Sequence, residues 1–285
     1  TVPTGTADSI GNILRRLVEK YHASIFSSFQ YLPLWRVPGF IIPPFIDPLS
    51  EKNRDLPTAE VDAVLAKYGI DAEKPIVTQV SRYDVFKDPV GVIEAFRKVR
   101  RKTPCQLVLV GGRACDDPEC FLVLREVRET AEDDPDIHVL DLPPDSHREI
   151  NALQRASDVI VQKSLKEGFG LTVTEGLWKG KPVVAGNVGG IPLQIRDGWN
   201  GYLVSTVQET ADRVLYLLRH PDAAGEMGIR GREFVREYYL LPRGVQDHLA
   251  VVDQVVNGKI TARESVICYH PQVVTGRMAA CAPRD

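Results

Sequence analysis

Two carboxylates, Glu167 and Glu175, stand eight positions apart around a Gly-Phe-Gly turn that leads into a predicted helix. A glycine turn lets the backbone approach a ligand closely, and the free N–H groups at a helix start favour a diphosphate. The two carboxylates can then accept hydrogen bonds from two sets of hydroxyls, one on a sugar and one on a ribose. This chemistry suits the binding of a sugar nucleotide.

A second motif supplies positive charge. Residues 81–87 follow a predicted strand and offer Arg82 and Lys87 at the mouth of a loop. Arg presents a planar fork for phosphate oxygens and Lys presents a point charge. Such a pair can clamp a diphosphate leaving group and stabilise the negative charge that builds up on its bridging oxygen. The two motifs together, rather than either alone, indicate glycosyl transfer.

Each of these residues also has a plainer interpretation. The two cations could be ordinary surface residues on a loop, and an isolated Glu167 is usually a solvated acid. Thr172 and Glu175 have the spacing of a capping box, in which the acid satisfies a backbone N–H at the helix start. The glycines at 168 and 170 favour the ligand-binding interpretation, because a cap does not require them.

The composition is ordinary for a soluble globular protein, with 44% apolar and 26% charged residues among 285. A net charge of −3 and the lack of a long basic block give no reason to expect a nucleic-acid partner. No apolar run reaches the roughly 20 residues that span a bilayer, and no signal-peptide pattern opens the sequence. The five cysteines form no C-x-x-C pair. They predict free thiols in a reducing, cytoplasmic compartment and no metal site.

The middle of the chain alternates Val/Ile/Leu-rich runs with amphipathic helical patterns. This alternation predicts an α/β fold with a parallel sheet covered on both faces. Right-handed crossovers make it a Rossmann-like doubly wound sheet, whose ligand binds at the carboxyl ends of the strands, where both motifs fall. The predicted strands are 76–80, 106–110, 137–140, 159–162, 183–185 and 202–204, and the predicted helices are 58–68, 89–102, 119–131, 147–156, 172–179 and 207–219.

The two ends of the chain depart from this alternation. Residues 12–21 predict a helix with one apolar face, formed by Ile13, Leu14, Leu17, Val18 and Tyr21. Prolines at 43, 44 and 48 exclude a helix or a central strand and predict a stiff linker between domains. Residues from about 222 to 256 have a helical pattern, whereas 257–285 have no sustained period and are expected to be poorly ordered.

The motifs at 81–87 and 167–175 together resemble the donor-site motifs of retaining glycosyltransferases with the GT-B fold, and the second is that family's E-x7-E element. More narrowly, residues 43–53, 151–156 and 189–195 resemble the trehalose synthases of the glycosyltransferring type and the related trehalose phosphorylases. The resemblance covers roughly residues 10–245. At Leu193 the chain departs from the many family members that carry a Glu there.

The resemblance implies a role for each matching residue. Arg82 and Lys87 would hold the donor phosphates, and Glu167 would bind hydroxyls of the glucosyl group. Retention in this family proceeds by front-face attack, with the leaving phosphate taking the acceptor's proton, so no protein nucleophile, metal or cofactor is implied. The remaining donor contacts would come from the second motif. The backbone at Gly168, Phe169 and Gly170 would assist Glu167, the helix start at Leu171 and Thr172 would meet the diphosphate, and Glu175 would bind the ribose.

The implied substrates are an NDP-glucose donor, with UDP or ADP as the nucleotide, and glucose as the acceptor. The acceptor in this family binds largely to an N-terminal domain, of which residues 1–45 can supply only a remnant with its linker. The chain is therefore expected to be a donor-binding part, with the nucleotide-sugar domain at 46–243 and a C-terminal helix and tail at 244–285. The apolar face of the first helix should be under-buried.

Such a chain is expected to be inactive or weak alone, and to associate either with a second copy of itself or with a separate N-terminal-domain chain. Two alternatives to glucosyl transfer remain open at this point. One is phosphorolysis of trehalose, and the other is a catalytically inert nucleotide-sugar-binding module that needs a partner chain.

Overall fold

The computed structural model describes residues 4–28, 37–112, 118–258 and 266–268. These form two compact units, one containing Phe45–Leu240 and the other the residues before and after that range. Most of the tail predicted at 257–285 lies outside the described residues. The helices are α1 (Thr4–Val18), α2 (Thr58–Lys67), α3 (Pro89–Arg100), α4 (Pro118–Ala131), α5 (His147–Ala156), α6 (Leu171–Trp178), α7 (Ile191–Gln194), α8 (Val207–Arg219), α9 (Pro221–Tyr238) and α10 (Leu241–Val256). The strands are β1 (Ser24–Phe26), β2 (Gly39–Ile41), β3 (Ile76–Val80), β4 (Gln106–Gly111), β5 (Ile137–Asp141), β6 (Val159–Gln162), β7 (Val183–Gly186), β8 (Tyr202–Val204) and β9 (Val266–Cys268).

The larger unit is built on a six-stranded sheet with the order β5-β4-β3-β6-β7-β8. Every neighbouring pair is parallel, and β3 meets β6 in the register Val77 to Val159. Consecutive strands run outwards from β3 in one direction and from β6 in the other, so the order reverses between β3 and β6. A doubly wound sheet leaves a ligand crevice at the carboxyl ends of the strands at such a point. The predicted fold class is confirmed.

Helices cover both faces of this sheet, which explains why its central strands are largely apolar. Leu107 and Leu109 of β4 lie in a buried cluster with side chains of α3, α4 and α8. Val108 and Val110, on the opposite face, pack with side chains of α2 and α5. Burying one aliphatic side chain contributes about 1.5–3 kcal/mol, so both layers of contacts hold the strand ends that carry the motifs.

The smaller unit combines α1 and α10 with a three-stranded parallel sheet in the order β1-β2-β9. Its buried core is small and centres on Phe40, Ile42 and Val251. The apolar side chains that α1 presents at positions 13, 14 and 17 are exposed, which confirms the expected under-burial. Tyr21, predicted on the same helical face, lies beyond the end of α1. There the Tyr21 N–H donates over 2.9 Å to the Val18 carbonyl oxygen, three residues back, in a tighter turn than that of an α-helix.

Several short elements were not predicted: β2, β9, α7 and a 3-10 turn at Val85–Lys87. The three prolines at 43, 44 and 48 lie outside helices and strands, as predicted. In the part of the chain that the structure describes, no helix is both long and apolar enough to cross a lipid bilayer.

Candidate functional site

The loops that carry the two motifs leave the sheet side by side, after β3 and after β6. The Leu165 N–H donates to the Phe86 carbonyl oxygen over 2.8 Å and joins the two loops. The Lys87 ammonium forms an ion pair with the Glu167 carboxylate, and their side chains are only 16% and 10% exposed. Two residues that are 80 positions apart are thus in direct contact. The interpretation of Glu167 as a solvated loop acid is wrong.

Arg82 sits differently from Lys87. Its side chain is 61% exposed, and its guanidinium lies 3.5 Å from the Asp84 carboxylate. An exposed pair at this distance contributes little stability, so Arg82 is held only weakly at the mouth of the crevice. Asp84 itself has a fixed place, because its carboxylate accepts the Phe86 N–H over 2.8 Å and caps the 3-10 turn. A donor-binding role for Arg82 stays a prediction.

The backbone on either side of Lys87 is fixed by buried polar contacts. The Gln79 amide donates to the Lys87 carbonyl oxygen over 2.7 Å. Asp88 adopts the left-handed conformation, with φ at 49°, and its carboxylate accepts the Gly91 N–H at the start of α3. The buried Lys163 ammonium forms an ion pair with that same carboxylate. A non-glycine residue keeps such a conformation only where its surroundings fix it. Lys163 and Gln79 were missed in the sequence, although polar side chains within or directly after buried strands were a signal.

The glycine turn of the second motif is pressed against a neighbouring turn at 186–190. Gly170 and Gly189 have φ of 87° and 59°, which side chains rarely adopt. A Cβ atom at Gly189 would lie 1.7 Å from the Glu167 carbonyl oxygen, so only glycine fits. The Gly190 N–H donates to the Gly168 carbonyl oxygen over 3.0 Å. The second turn therefore fixes the backbone on which Glu167 is carried.

Phe169 contributes to the site through its backbone alone. Its ring is buried and packs 5.8 Å, centroid to centroid, from the ring of Tyr239. Its carbonyl oxygen accepts the amide of the fully buried Gln194 over 2.5 Å, and the Gln194 amide oxygen accepts the Thr174 hydroxyl over 2.6 Å. Gln194 thus ties the glycine turn to α6. The sequence marked the segment that contains Gln194 but not this function.

The capping-box interpretation of Thr172 and Glu175 is wrong. The left-handed Gly170 starts α6 at Leu171, one residue earlier than predicted, so Thr172 lies inside the first turn and cannot act as the cap. The carboxylate of Glu175 turns instead to the Lys52 ammonium, 2.9 Å away. No side chain among the described residues caps the start of α6. The Val173 N–H donates to the Gly170 carbonyl oxygen over 2.9 Å, so the N–H groups that another acceptor could use are those that precede it.

Glu175 interacts with two lysines, one through an ion pair and one through its charge. Its side chain is 4% exposed, whereas that of Lys52 is 32% exposed, and the Gln154 amide lies 3.5 Å from the second carboxylate oxygen. On the inner side, the ammonium of the buried Lys179 donates to the Lys52 carbonyl oxygen over 2.9 Å and to the Asn53 side chain over 3.2 Å. Burial lowers the pKa of Lys179 to about 7, and the negative charge of Glu175 opposes that shift.

The segment that carries Lys52 is fastened by its backbone. Asn151 donates to two carbonyl oxygens of residues 51–54 over 3.0 and 2.8 Å, and Arg155 donates to two over 3.1 and 3.0 Å. The Trp178 indole N–H donates over 3.2 Å to the Asn53 carbonyl oxygen, which also accepts one of the bonds from Arg155. Two of the segments that resemble the trehalose enzymes, 43–53 and 151–156, are thus joined by hydrogen bonds.

The site as a whole offers fixed charges and hydrogen-bond partners. Each carboxylate has its own lysine, and the start of α6 lies between them in the sequence. Within the described ranges, no group of three His, Cys, Asp or Glu side chains is placed to hold a metal ion. The predicted absence of a cofactor stays a prediction.

Comparison with known proteins identifies a family and relatives that this chain is similar to. The family model described as glycosyl transferases group 1 matches residues 61–234. A trehalose synthase from Pyrococcus horikoshii is 47% identical over 246 residues, which are 85% of this chain and 59% of that protein. A trehalose phosphorylase from Pleurotus sajor-caju is 35% identical over 152 residues, which are 47% of this chain and 20% of that protein. The chain thus spans little more than half the length of the trehalose synthase.

The fold itself recurs in solved glycosyltransferases. The structure of sucrose-phosphate synthase from Thermosynechococcus elongatus matches 90% of this chain and 65% of that chain, with a TM-score of 0.72 and 23% sequence identity. At this identity the likeness concerns the fold alone, and the fold is the one that the sequence resemblance implied, the C-terminal domain of a GT-B protein. The chain therefore belongs to the group 1 family of glycosyl transferases.

Proposed function

We propose that this chain is the donor-binding part of a retaining glucosyltransferase that transfers glucose from an NDP-glucose to glucose and gives trehalose. The observation that carries the proposal is the contact between Lys87 and Glu167, because it joins the two donor motifs at the point where the strand order reverses. The trehalose synthase relative supports the choice of product. A cytoplasmic location, inferred from the cysteines, stays a prediction.

In the proposed mechanism the two motif loops exchange one partner for another. Lys87 leaves Glu167 for the donor diphosphate, and Glu167 accepts hydroxyls of the glucosyl group in place of the ammonium. Arg82, weakly held at the crevice mouth, closes on the same phosphates. The cations offset the charge that grows on the bridging oxygen as the bond to the sugar breaks. That oxygen's phosphate takes the proton of the attacking acceptor hydroxyl.

Phosphorolysis of trehalose is the second candidate, supported by the trehalose phosphorylase relative. The two candidates differ in the ligand that occupies the crevice. UDP or ADP should protect the chain against thermal unfolding if the donor is a nucleotide sugar. Protection by phosphate together with glucose 1-phosphate, and not by either nucleotide, would favour phosphorolysis.

The clamp itself is tested by truncating the two cations. Arg82→Ala and Lys87→Ala should each weaken nucleoside diphosphate binding by about 1.5–3 kcal/mol, the value of a charge-assisted hydrogen bond, and leave the fold intact. The matched controls are Arg125→Ala and Lys74→Ala, which remove cations from ion pairs elsewhere. Isothermal titration calorimetry measures the difference. Unchanged affinity in both site variants would contradict the clamp.

Turnover needs the acceptor to be held beside the donor, and correct placement is worth about 7–11 kcal/mol of barrier. We propose that the chain alone forms no measurable trehalose from NDP-glucose and glucose, because acceptor binding in this family is expected to lie largely in a further domain. Robust trehalose formation by the purified chain would overturn that assignment. Nucleotide binding without turnover would agree with it.

A further inference from the structure

Lys52 has a position that the donor motifs do not account for. It lies outside both motifs, in the segment before α2, yet its ammonium is 2.9 Å from Glu175, the second acid of the E-x7-E element. Lys52 is also the more exposed member of the pair, with 32% of its side chain accessible against 4% for Glu175. The lysine therefore stands between the carboxylate and the solvent.

The direction of the Glu175 side chain places this pair near the start of α6. Helical side chains lean towards the N-terminus of their helix, and residues four apart share a face. Glu175 thus projects along the face of Leu171, the first residue of α6. If a diphosphate bound at the start of α6, the attached nucleoside would extend along one side of the helix. The Lys52–Glu175 pair therefore lies on the face of α6 that leads back to the helix start, and Lys52 is its exposed member.

The side chain of Lys52 is not what attaches its segment to the domain. The bonds from Asn151, Arg155, Trp178 and Lys179 include acceptors on four successive backbone carbonyl groups, at residues 51–54. The backbone of residues 51–54 is thus held in place without the Lys52 side chain. Removing the ammonium should leave this backbone where it is.

We propose that Lys52 is a positioning residue for ribose recognition, holding Glu175 outward against the pull of the buried Lys179. This inference rests on the proposed function, because it assigns a second residue to the ribose end of the same donor site. An ammonium has three N–H donors and a carboxylate only acceptors. A ribose hydroxyl, which both donates and accepts, can bond to Glu175 and Lys52 together. Without Lys52 the carboxylate turns towards Lys179 and away from the ligand.

The test compares nucleotides with and without ribose hydroxyls. UDP and ADP are titrated into the chain by calorimetry, followed by the 2′,3′-dideoxy form of whichever binds. The wild type should bind the ribonucleotide more tightly than its dideoxy form. Lys52→Met should weaken the ribonucleotide by about tenfold, leave the dideoxy form unchanged and so abolish the discrimination. Lys52→Arg, which retains a cation, should restore part of it.

The control is Lys67→Met, which removes a lysine from an ion pair with Glu149 elsewhere on the domain and should change neither affinity. If Lys52→Met fails to fold by circular dichroism, Lys52→Gln is measured in its place. Equal loss of both nucleotides, or retained discrimination, would overturn the role of Lys52. A wild type that binds no nucleoside diphosphate would instead overturn the proposed function, and a wild type that binds both forms equally would overturn the ribose assignment alone.

Discussion

The two acids of the E-x7-E element are held in opposite ways. Glu167 lies on a loop whose backbone packs closely against Gly189. Its cation, Lys87, comes from the neighbouring motif. Glu175 lies within a helix, and its cation comes from a separate segment that is fastened through its backbone. The first acid depends on close backbone packing, whereas the second depends on buried charge.

In the proposed function, this difference separates a movable part of the site from a fixed part. In that proposal Lys87 and Glu167 exchange each other for a ligand's phosphates and hydroxyls, because both lie at the crevice. Glu175 stays in place in that proposal, because its negative charge offsets part of the cost of burying the Lys179 ammonium. Substitutions near Glu167 and substitutions near Glu175 should therefore lower the stability of the chain for different reasons.

The largest effect is expected where the loop side depends on backbone packing. Gly189→Ala puts a Cβ atom 1.7 Å from the Glu167 carbonyl oxygen and forces alanine to a φ of 59°. We expect a loss of about 3 kcal/mol or more of unfolding free energy, measured by urea denaturation, together with loss of nucleotide binding. Gly198→Ala is the matched control, because Gly198 has a φ of 74° with no atom near a Cβ. It should cost only about 1–2 kcal/mol. Equal costs would show that packing against Glu167 is unimportant.

The two acids can be compared directly by the same small change. Glu175→Gln removes the carboxylate of the ion pair with Lys52 and the negative charge that offsets the burial of Lys179, and should cost about 2–3 kcal/mol of stability. Glu167→Gln removes the carboxylate from Lys87 alone, which can reach solvent at the crevice, and should cost about 1 kcal/mol. Both should weaken nucleotide-sugar binding. Thermal and urea unfolding show which variant loses more stability. A larger loss of unfolding free energy for Glu167→Gln than for Glu175→Gln would contradict the prediction.

The remaining prediction concerns the pH dependence of stability on the helix side. The pKa of Lys179 is lowered to about 7 from 10.5 by burial, so between these values the unfolded chain binds more protons than the folded one. The unfolding free energy therefore rises with pH above 7, by up to about 1.4 kcal/mol per pH unit from this group. Below pH 7 the folded chain bears the full cost of burying the charged Lys179 ammonium. Lys179→Met should lack this rise.

Urea denaturation of the wild type and Lys179→Met at pH 6, 7, 8 and 9 provides the measurement. The buried Cys105, whose pKa is raised to about 11, acts in the opposite direction above pH 9, so the series stops there. Parallel profiles for the two proteins would mean that Lys179 does not titrate in this range.

The sheet and its helices were predictable because their patterns are long and repeated. Strands β3 and β6 are buried on both faces and so are apolar throughout, apart from Thr78, Gln79 and Gln162. The short elements, such as β2 and α7, contain too few residues to display a period. Tertiary contacts, not local preference, fix them.

The candidate site was predictable only as far as its motifs are local. Glu167 and Lys87 stood out through their neighbours in the sequence. Lys163, Gln194 and Lys52 act across distances that a single sequence does not display, and each has its partner at least 20 positions away. The capping-box error has the same origin, because the partner that Glu175 prefers is more than 100 positions away.

The reversal of strand order between β3 and β6 has a consequence for how the protein reaches its native state. These strands are adjacent in space, but about two fifths of the domain, including β4 and β5, is synthesised between them. Closing so long a connection is entropically costly, and contacts of this kind form slowly. Lys87 and Glu167 meet only when both halves of the sheet have docked, so the crevice belongs to the completed domain and not to any shorter folding unit.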